Sequence, residues 1–365
     1  MTNRLVVENL KFRPLRTLLS VAAISIQVTM VLTLVGLSNG VLEEQARRAR
    51  GVGADIMIRA PSSSVLSFSA NMDHAEAIMS LVKKQPHVVA VAGTLTQGTG
   101  GFNYITGIDL AQFNQLSGGF HFLQGGPFQH PDDVMVDSYY ASEHNLHVGD
   151  TIQALNRPWR VSGIYQAGTL TRIVVQLDVL RDLTANNGKI TMIYVKLDDH
   201  SRTNEAIAEL RARLKDYQIY SMEEYTSLFS ISNVPMLRQF IWVVIGLGVL
   251  VGFLVVFLSM YTAVLERTRE IGVLKALGAS PGFVLNILLR ETTLLALAGS
   301  VLGILLSYVT RFAIQTFVPG SLTQAIVPGW WPIATGLALA GALLGAIYPG
   351  LKAARQDPVE ALAYE

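Results

Sequence analysis

Cysteine is absent, which excludes a disulfide framework and any thiolate metal site. Charge is scarce too: 15% of the 365 residues are Asp, Glu, Lys or Arg, where a soluble domain carries roughly a quarter. A net charge of +1 offers no field to gather nucleic acid. No G-x-x-x-x-G-K-[ST] loop occurs, so these residues have no cradle for nucleotide phosphates. H-E-x-x-H is not found, and the apolar stretches carry no acid–base pair, so an intramembrane enzyme finds no support. What the chain has instead is apolar surface. Half of it is hydrophobic and the mean hydropathy is +0.38, which calls for an apolar solvent around part of the molecule.

Four stretches approach the ~20 apolar residues that cross about 30 Å of hydrocarbon: residues 18–41, 240–264, 283–311 and 330–349. The first is too long for a secretory signal, lacks a small-residue cleavage site and precedes three more spans, so it reads as a retained helix. Basic residues set the orientation. Arg4, Lys11, Arg13 and Arg16 precede the first span; Arg267, Arg269 and Lys275 lie between the second and third; Lys352 and Arg355 follow the fourth. Those segments (1–17, 265–282 and 350–365) are expected in the cytoplasm, with both termini inside. The 312–329 loop and the long 42–239 insert are then extracytoplasmic. The fold class expected is an α-helical membrane protein with four transmembrane helices and a large mixed α/β extracytoplasmic domain between helices 1 and 2.

Within the insert, β-rich runs at 55–58, 88–91 and 190–195 alternate with helical patterns. One helix is expected from Asp73, as N-cap, to Lys84. Another runs from Thr203 to Leu214, with Ile207, Leu210 and Leu214 on one face. Turns are expected at Gly125-Gly126-Pro127, Val148-Gly149-Asp150 and Asn186-Asn187-Gly188. All seven histidines fall in this insert; His144 and His147 are three apart, but no third ligand at suitable spacing makes them a metal pair. The Ser-rich stretch 61–69 reads as a loop whose Leu66 and Phe68 are candidate contacts for a lipidic or protein cargo.

The segment Glu266-Arg267-Thr268-Arg269-Glu270-Ile271-Gly272-Val273-Leu274-Lys275-Ala276-Leu277-Gly278-Ala279-Ser280-Pro281 carries the sharpest pattern. Helical spacing aligns Ile271, Leu274 and Leu277, sets Glu266 and Glu270 a turn apart, and supplies Arg267, Arg269 and Lys275 as compensating charge. Gly278 is a C-cap candidate and Pro281 ends the helix. Such a short amphipathic helix either ties two spans together at the interface or serves as a lever for a cytosolic partner. Each span also holds a G-x-x-x-G pair (Gly36/Gly40, Gly248/Gly252, Gly299/Gly303, Gly341/Gly345), marking helix-packing or dimer faces.

The 266–281 run resembles the coupling-helix signature of FtsX/MacB-type ABC permeases. Residues 348–362 are similar to that family's C-terminal signature, and 9–19 to its amphipathic lead into the first span. Gly53-Ala54-Asp55-Ile56-Met57-Ile58, residues 148–152 and 159–164 resemble the MacB-type periplasmic core domain. The resemblance implies a type VII, mechanotransmission permease working as a dimer with a second copy or paralogue and two copies of an ABC ATPase, the latter binding ATP and Mg. This chain then carries no cofactor and no catalytic or metal residue. Ile271, Leu274 and Leu277 are expected to meet the ATPase, flanked by Glu266, Arg267, Arg269, Glu270 and Lys275, with Gly278 closing the helix. Glu291 matches an acidic position of the family and is expected to pair with a basic residue of the N-terminal segment or the coupling helix; Arg290 beside it is expected to snorkel. The resemblance further implies an inner-membrane location with a periplasmic domain and, in members with outer-membrane routes, a membrane-fusion adaptor and outer-membrane channel. The expected role is efflux or release of a hydrophobic, lipid-linked or peptide-like substrate. The alternative is a non-transporting FtsX-like signalling permease that activates an extracytoplasmic partner such as a cell-wall hydrolase.

Overall fold

The computed structural model describes residues 14–61, 63, 70–100, 103–317 and 323–357. The chain divides into two compact units: residues 1–39, 235–314 and 324–365 form one, and 40–234 with 315–323 form the other. The first helix, α1 (Pro14–Arg50), contributes to both. It outruns the apolar stretch because backbone hydrogen bonding continues through the polar residues that follow, among them Glu44, Arg47 and Arg48, which pair one turn apart.

The sheet unit continues with β1 (Ile56–Arg59), α2 (Ala75–Lys83), β2 (Val88–Gly100), β3 (Asn103–Ile108), α3 (Leu110–Ser117), β4 (Phe122–Gly125), β5 (Asp133–Asp137) and α4 (Ser138–His144). Then come β6 (Thr151–Ala154), β7 (Arg157–Tyr165), β8 (Ile173–Gln176), α5 (Leu177–Leu183), β9 (Met192–Leu197), α6 (Thr203–Arg213), β10 (Gln218–Ser221) and α7 (Met222–Ser227). The strands make one mixed sheet in the order β10-β1-β9-β2-β3-β8-β5-β7-β4, with β6 beside β7. Pairings β3–β8 and β5–β7 are parallel.

Alternation along the strands sorts the two faces. Ile58, Ile193 and Val195 pack with Val82 of α2 and with Ile207 and Leu210 of α6. Leu95, Val136, Trp159 and Leu180 form a second cluster toward the β7 end, where the Trp159 indole N–H donates to the Ala154 carbonyl at 3.0 Å. The α6 helix runs as its stripe predicts. The start of α2 does not: its N-cap is His74, in the left-handed region at φ 55°, not Asp73, and no side chain caps the helix. Asp73 instead pairs with Lys189 at 3.1 Å, a use of its carboxylate that competes with capping.

The helical unit completes the chain with α8 (Pro235–Glu266), α9 (Thr268–Ala276), α10 (Pro281–Phe317) and α11 (Trp330–Arg355). With α1, the helices α8, α10 and α11 are long and apolar enough to cross a membrane.

Candidate coupling site

The short helix α9 is defined at both ends by local chemistry. Arg267 occupies its N-cap position after the end of α8. At the other end Gly278 takes φ +93°; its N–H bonds the Lys275 carbonyl and the Ala279 N–H bonds the Leu274 carbonyl, both at 3.0 Å. That pair of bonds is a Schellman closure, which needs a residue free to adopt positive φ. Ser280 then caps α10 through the Phe283 N–H at 3.2 Å, and Pro281 sits where its missing N–H costs nothing. The proline therefore starts the next helix as well as ending the previous one.

The apolar stripe expected to face a partner divides. Ile271 is 6% exposed and packs within its own unit against Val264, Val284, Leu288 and Ala353. It is an internal anchor, since the side of α9 toward α8 and α10 must bury something apolar. Leu274 and Leu277 are 37% and 81% exposed, and Val273 joins them on the open side. The polar flank divides too. Arg269 and Glu270 are exposed, as is Glu266 at the end of α8. Lys275 donates to the Ala354 carbonyl at 2.9 Å and to that of Gln356, pinning the end of α11. Arg267 is buried and turns inward, so Arg267, Ile271 and Lys275 leave the outward set.

Arg267 turns toward Glu291, whose carboxylate is 1% exposed on α10. Glu291 Oε2 lies 3.4 Å from Arg267 and Oε1 lies 3.1 Å from Arg16 at the start of α1. One carboxylate thus holds the helix-capping arginine and the head of α1 together. A buried carboxylate inside a membrane bundle needs such partners, because desolvation is otherwise uncompensated. Arg290, next in sequence, is exposed.

The glycine pairs serve packing within the chain. A Cβ on Gly299 would lie 2.7 Å from Ile24, and one on Gly303 would lie 2.7 Å from Val28. The open backbone at Gly303 also lets the Thr29 hydroxyl reach its carbonyl at 3.0 Å. Gly248 and Gly252 accommodate Met30 and Gln27 of α1, while Gly341 and Gly345 abut Val249 and Phe253 of α8. Gly36 stands against the Ala325 carbonyl, and its own carbonyl accepts the Ala325 N–H at 2.9 Å. Gly40 is buried at the start of the α1 segment assigned to the sheet unit.

In the sheet unit, sequence reasoning missed a second buried charge cluster. Arg48 reaches Asp137 at 2.6 Å and Glu44 at 2.9 Å. Asp137 also accepts the Tyr140 N–H at 2.7 Å, capping α4. The only local signal was the Glu44/Arg48 spacing of one turn; the third member lies 89 residues away. His144 stacks on Tyr140 at 4.2 Å and His147 turns to Asp150 at 3.7 Å, so the two rings engage different partners. Leu66 and Phe68 lie outside the described residues.

Residues 17–213 match the family model for the MacB-like periplasmic core domain, and 242–358 match that for the FtsX-like permease C-terminal region. The chain belongs to the FtsX/MacB family of ABC transporter permeases. The core-domain motifs at 53–58, 148–152 and 159–164 and the 266–281 run fall inside these ranges. The macrolide export ATP-binding/permease protein MacB of Escherichia coli is 26% identical over 401 aligned residues, covering 99% of this chain and 60% of that protein. This FtsX/MacB chain thus spans about 60% of the length of the MacB proteins it matches. An uncharacterized ABC transporter permease of Methanocaldococcus jannaschii is 27% identical, with coverage of 68% of this chain and 66% of its own length. Among solved structures, the periplasmic region of MacB from Actinobacillus actinomycetemcomitans aligns at 19% identity and TM-score 0.36, covering 48% of this chain and 92% of its own. The extracellular domain of the ABC-type transporter YknZ from Gram-positive bacteria aligns at 14% identity and TM-score 0.35, covering 46% and 99%. The FtsX/MacB member described here is thus a transporter membrane subunit, with four membrane-capable helices and a mixed α/β domain between the first and the later three.

Proposed function

We propose that this permease couples ATP hydrolysis, carried out by an ABC ATPase outside these residues, to movement of its α/β unit on the far side of an inner membrane. The ATPase acts as two copies under a permease pair, and α9 is the surface it presses. Leu274 and Leu277 supply the exposed apolar contact and Glu266, Arg269 and Glu270 its polar rim. Both termini face the ATPase, and the α/β unit is periplasmic, open to a membrane-fusion adaptor and outer-membrane channel. The cargo is hydrophobic, lipid-linked or peptide-like, and is driven by motion of the α/β unit rather than passed through a pore in the bundle.

The observation that supports this reading is the convergence of Arg16 and Arg267 on Glu291. A displacement of α9 cannot leave the head of α1 in place without breaking a buried ion pair, so force entering at Leu277 is delivered to the helix that leads into the α/β unit. The test is Leu277→Asp in the reconstituted complex. At 81% exposure the substitution leaves stability within about 0.5 kcal/mol, and the expected outcome is loss of substrate-stimulated ATPase activity and of transport with an unchanged melting temperature. Full activity in this variant would remove α9 from the coupling path.

A further inference from the structure

One face of the sheet is not built like the other. Register places Thr96 opposite Thr106, Thr94 opposite Met192, and Tyr194 two residues beyond Met192, so these five share a face. The reverse face carries Leu95, Ile105, Ile193 and Val195 and is packed with aliphatic side chains. Hydroxyls, thioether and phenol on the first face are instead covered by the last turns of α1 (Gln45, Arg48, Ala49) and by Tyr225 of α7 with Phe229 beyond it. The cover is incomplete. A cleft of about 40 Å³ remains, open to solvent, so an occupant larger than that projects from its mouth.

The two walls differ in chemistry. On one, Thr171 donates to Thr106 at 2.8 Å, Thr106 and Thr96 share a bond of 3.0 Å, and each hydroxyl oxygen keeps capacity to accept another. Thr94, next along this face, is 1% exposed and its hydroxyl has no hydrogen-bond partner among the described residues. A buried hydroxyl left unmet is costly, so this face has hydrogen-bonding capacity to spare. On the other wall Phe229 meets Tyr225 edge-on at 5.1 Å, beside Leu170. Arg48 is the single charged lining group among the described residues, and its guanidinium is engaged by Glu44 and Asp137. Burial pushes the Tyr194 phenol up, which keeps it protonated and uncharged. The lining therefore offers hydrogen bonds and apolar contact but no unspent charge.

We propose that this cleft is a binding site for a neutral, ring-sized amphipathic molecule, one whose edge carries hydroxyl or carbonyl oxygens and whose face is apolar. Its oxygens exchange hydrogen bonds with Thr96, Thr106 and Thr171, and its face lies on Tyr225, Phe229 and Leu170. Methionine suits this role at Met192, because an unbranched thioether adapts to ligand shape at little cost. An occupant touches the end of α1 and the segment after α7 together, so it changes the freedom of the two connections by which the sheet unit continues into α1 and α8. Binding requires no ATPase, so the proposal stands or falls apart from the coupling role of α9.

The test is saturation-transfer NMR titration of trans-1,2-cyclohexanediol against the full chain in lipid nanodiscs, with cyclohexanecarboxylate as the charged counterpart. Three proteins are compared: wild type, Thr106→Val, which removes one hydroxyl and keeps the shape, and Gln45→Trp, which fills the mouth from α1. The expected result is saturable binding of the diol to wild type, weakened about fivefold in Thr106→Val, the worth of one neutral hydrogen bond. Gln45→Trp abolishes it while retaining the wild-type melting temperature, and the carboxylate gives no saturable signal. Three outcomes overturn the proposal: no saturable signal with wild type, equal diol binding in wild type and Gln45→Trp, or equal affinity for diol and carboxylate. Should Thr106→Val fail to fold, the comparison with Gln45→Trp decides alone.

Discussion

The helical unit and the sheet unit each bury a carboxylate that takes a guanidinium from α1, yet they balance charge in opposite ways. In the bundle, Glu291 is shared by two arginines, Arg16 at 3.1 Å and Arg267 at 3.4 Å. In the sheet unit, Arg48 is shared by two carboxylates, Asp137 at 2.6 Å and Glu44 at 2.9 Å, and Asp137 is further fixed by the Tyr140 N–H. The bundle node has longer contacts and two guanidiniums on one carboxylate, so loss of either arginine still leaves the carboxylate paired. The sheet clamp has short contacts and a backbone bond, and losing Arg48 leaves two buried carboxylates without their cation. The helix α1 thus has one compliant and one rigid grip.

The largest effect that separates them comes from Asp137→Ala. It removes the shorter of the two carboxylate contacts of Arg48 and uncaps α4, a loss of about 3–5 kcal/mol that should abolish the cooperative unfolding of the sheet unit in denaturant titrations. Glu291→Gln is milder, about 2 kcal/mol, because Arg16, with 17% of its side chain exposed, retains some solvent contact. Its thermal midpoint in detergent should fall moderately while transport falls steeply. An equal stability loss in the two variants would break the contrast between compliant and rigid grips. Gly303→Val comes next, at about 1–3 kcal/mol, since its Cβ would press on Val28; compensation by Val28→Ala in a double-mutant cycle would locate the strain at that contact.

The smallest effect is acid sensitivity confined to the sheet unit. Burial works against ionisation of Asp133, but the N–H groups of Gln129 and His130 and the Arg160 guanidinium outweigh it and hold the carboxyl below its usual range. A folded pKa below the unfolded value adds stability that is present above pH ~4 and is lost as pH falls through the folded value. Asp133→Asn should therefore flatten the acid limb of a stability profile while leaving its neutral region nearly parallel to wild type.

Much of this molecule was legible in the sequence because hydropathy and charge placement act locally. The four apolar helices, the inserted mixed domain, α6 and the Gly278–Pro281 punctuation all follow from spacing and turn chemistry. The short helix at 268–276 was also legible, but its orientation was not. Ile271, Leu274 and Leu277 lie on a common stripe in projection. Only the packing of α8, α10 and α11 decides that Ile271 is consumed inside while the two leucines stay open. Glu291 invited a basic partner, and two arrived, 275 and 24 residues away in sequence. The Arg48–Asp137 clamp and the threonine face of the sheet depend on strand register, which no local window contains.

The turn at Gly278 carries a consequence of handedness. A Cβ built there meets nothing within 4 Å among the described residues, so they leave space for a side chain and the positive φ is what disfavours one. For a D-residue that same φ is the favoured one. D-Alanine installed at 278 by semisynthesis should fit without displacing a neighbour and narrow the unfolded ensemble, whereas L-alanine strains the joint. The mirror-image pair separates the stiffness of the joint between α9 and α10 from every contact that α9 makes.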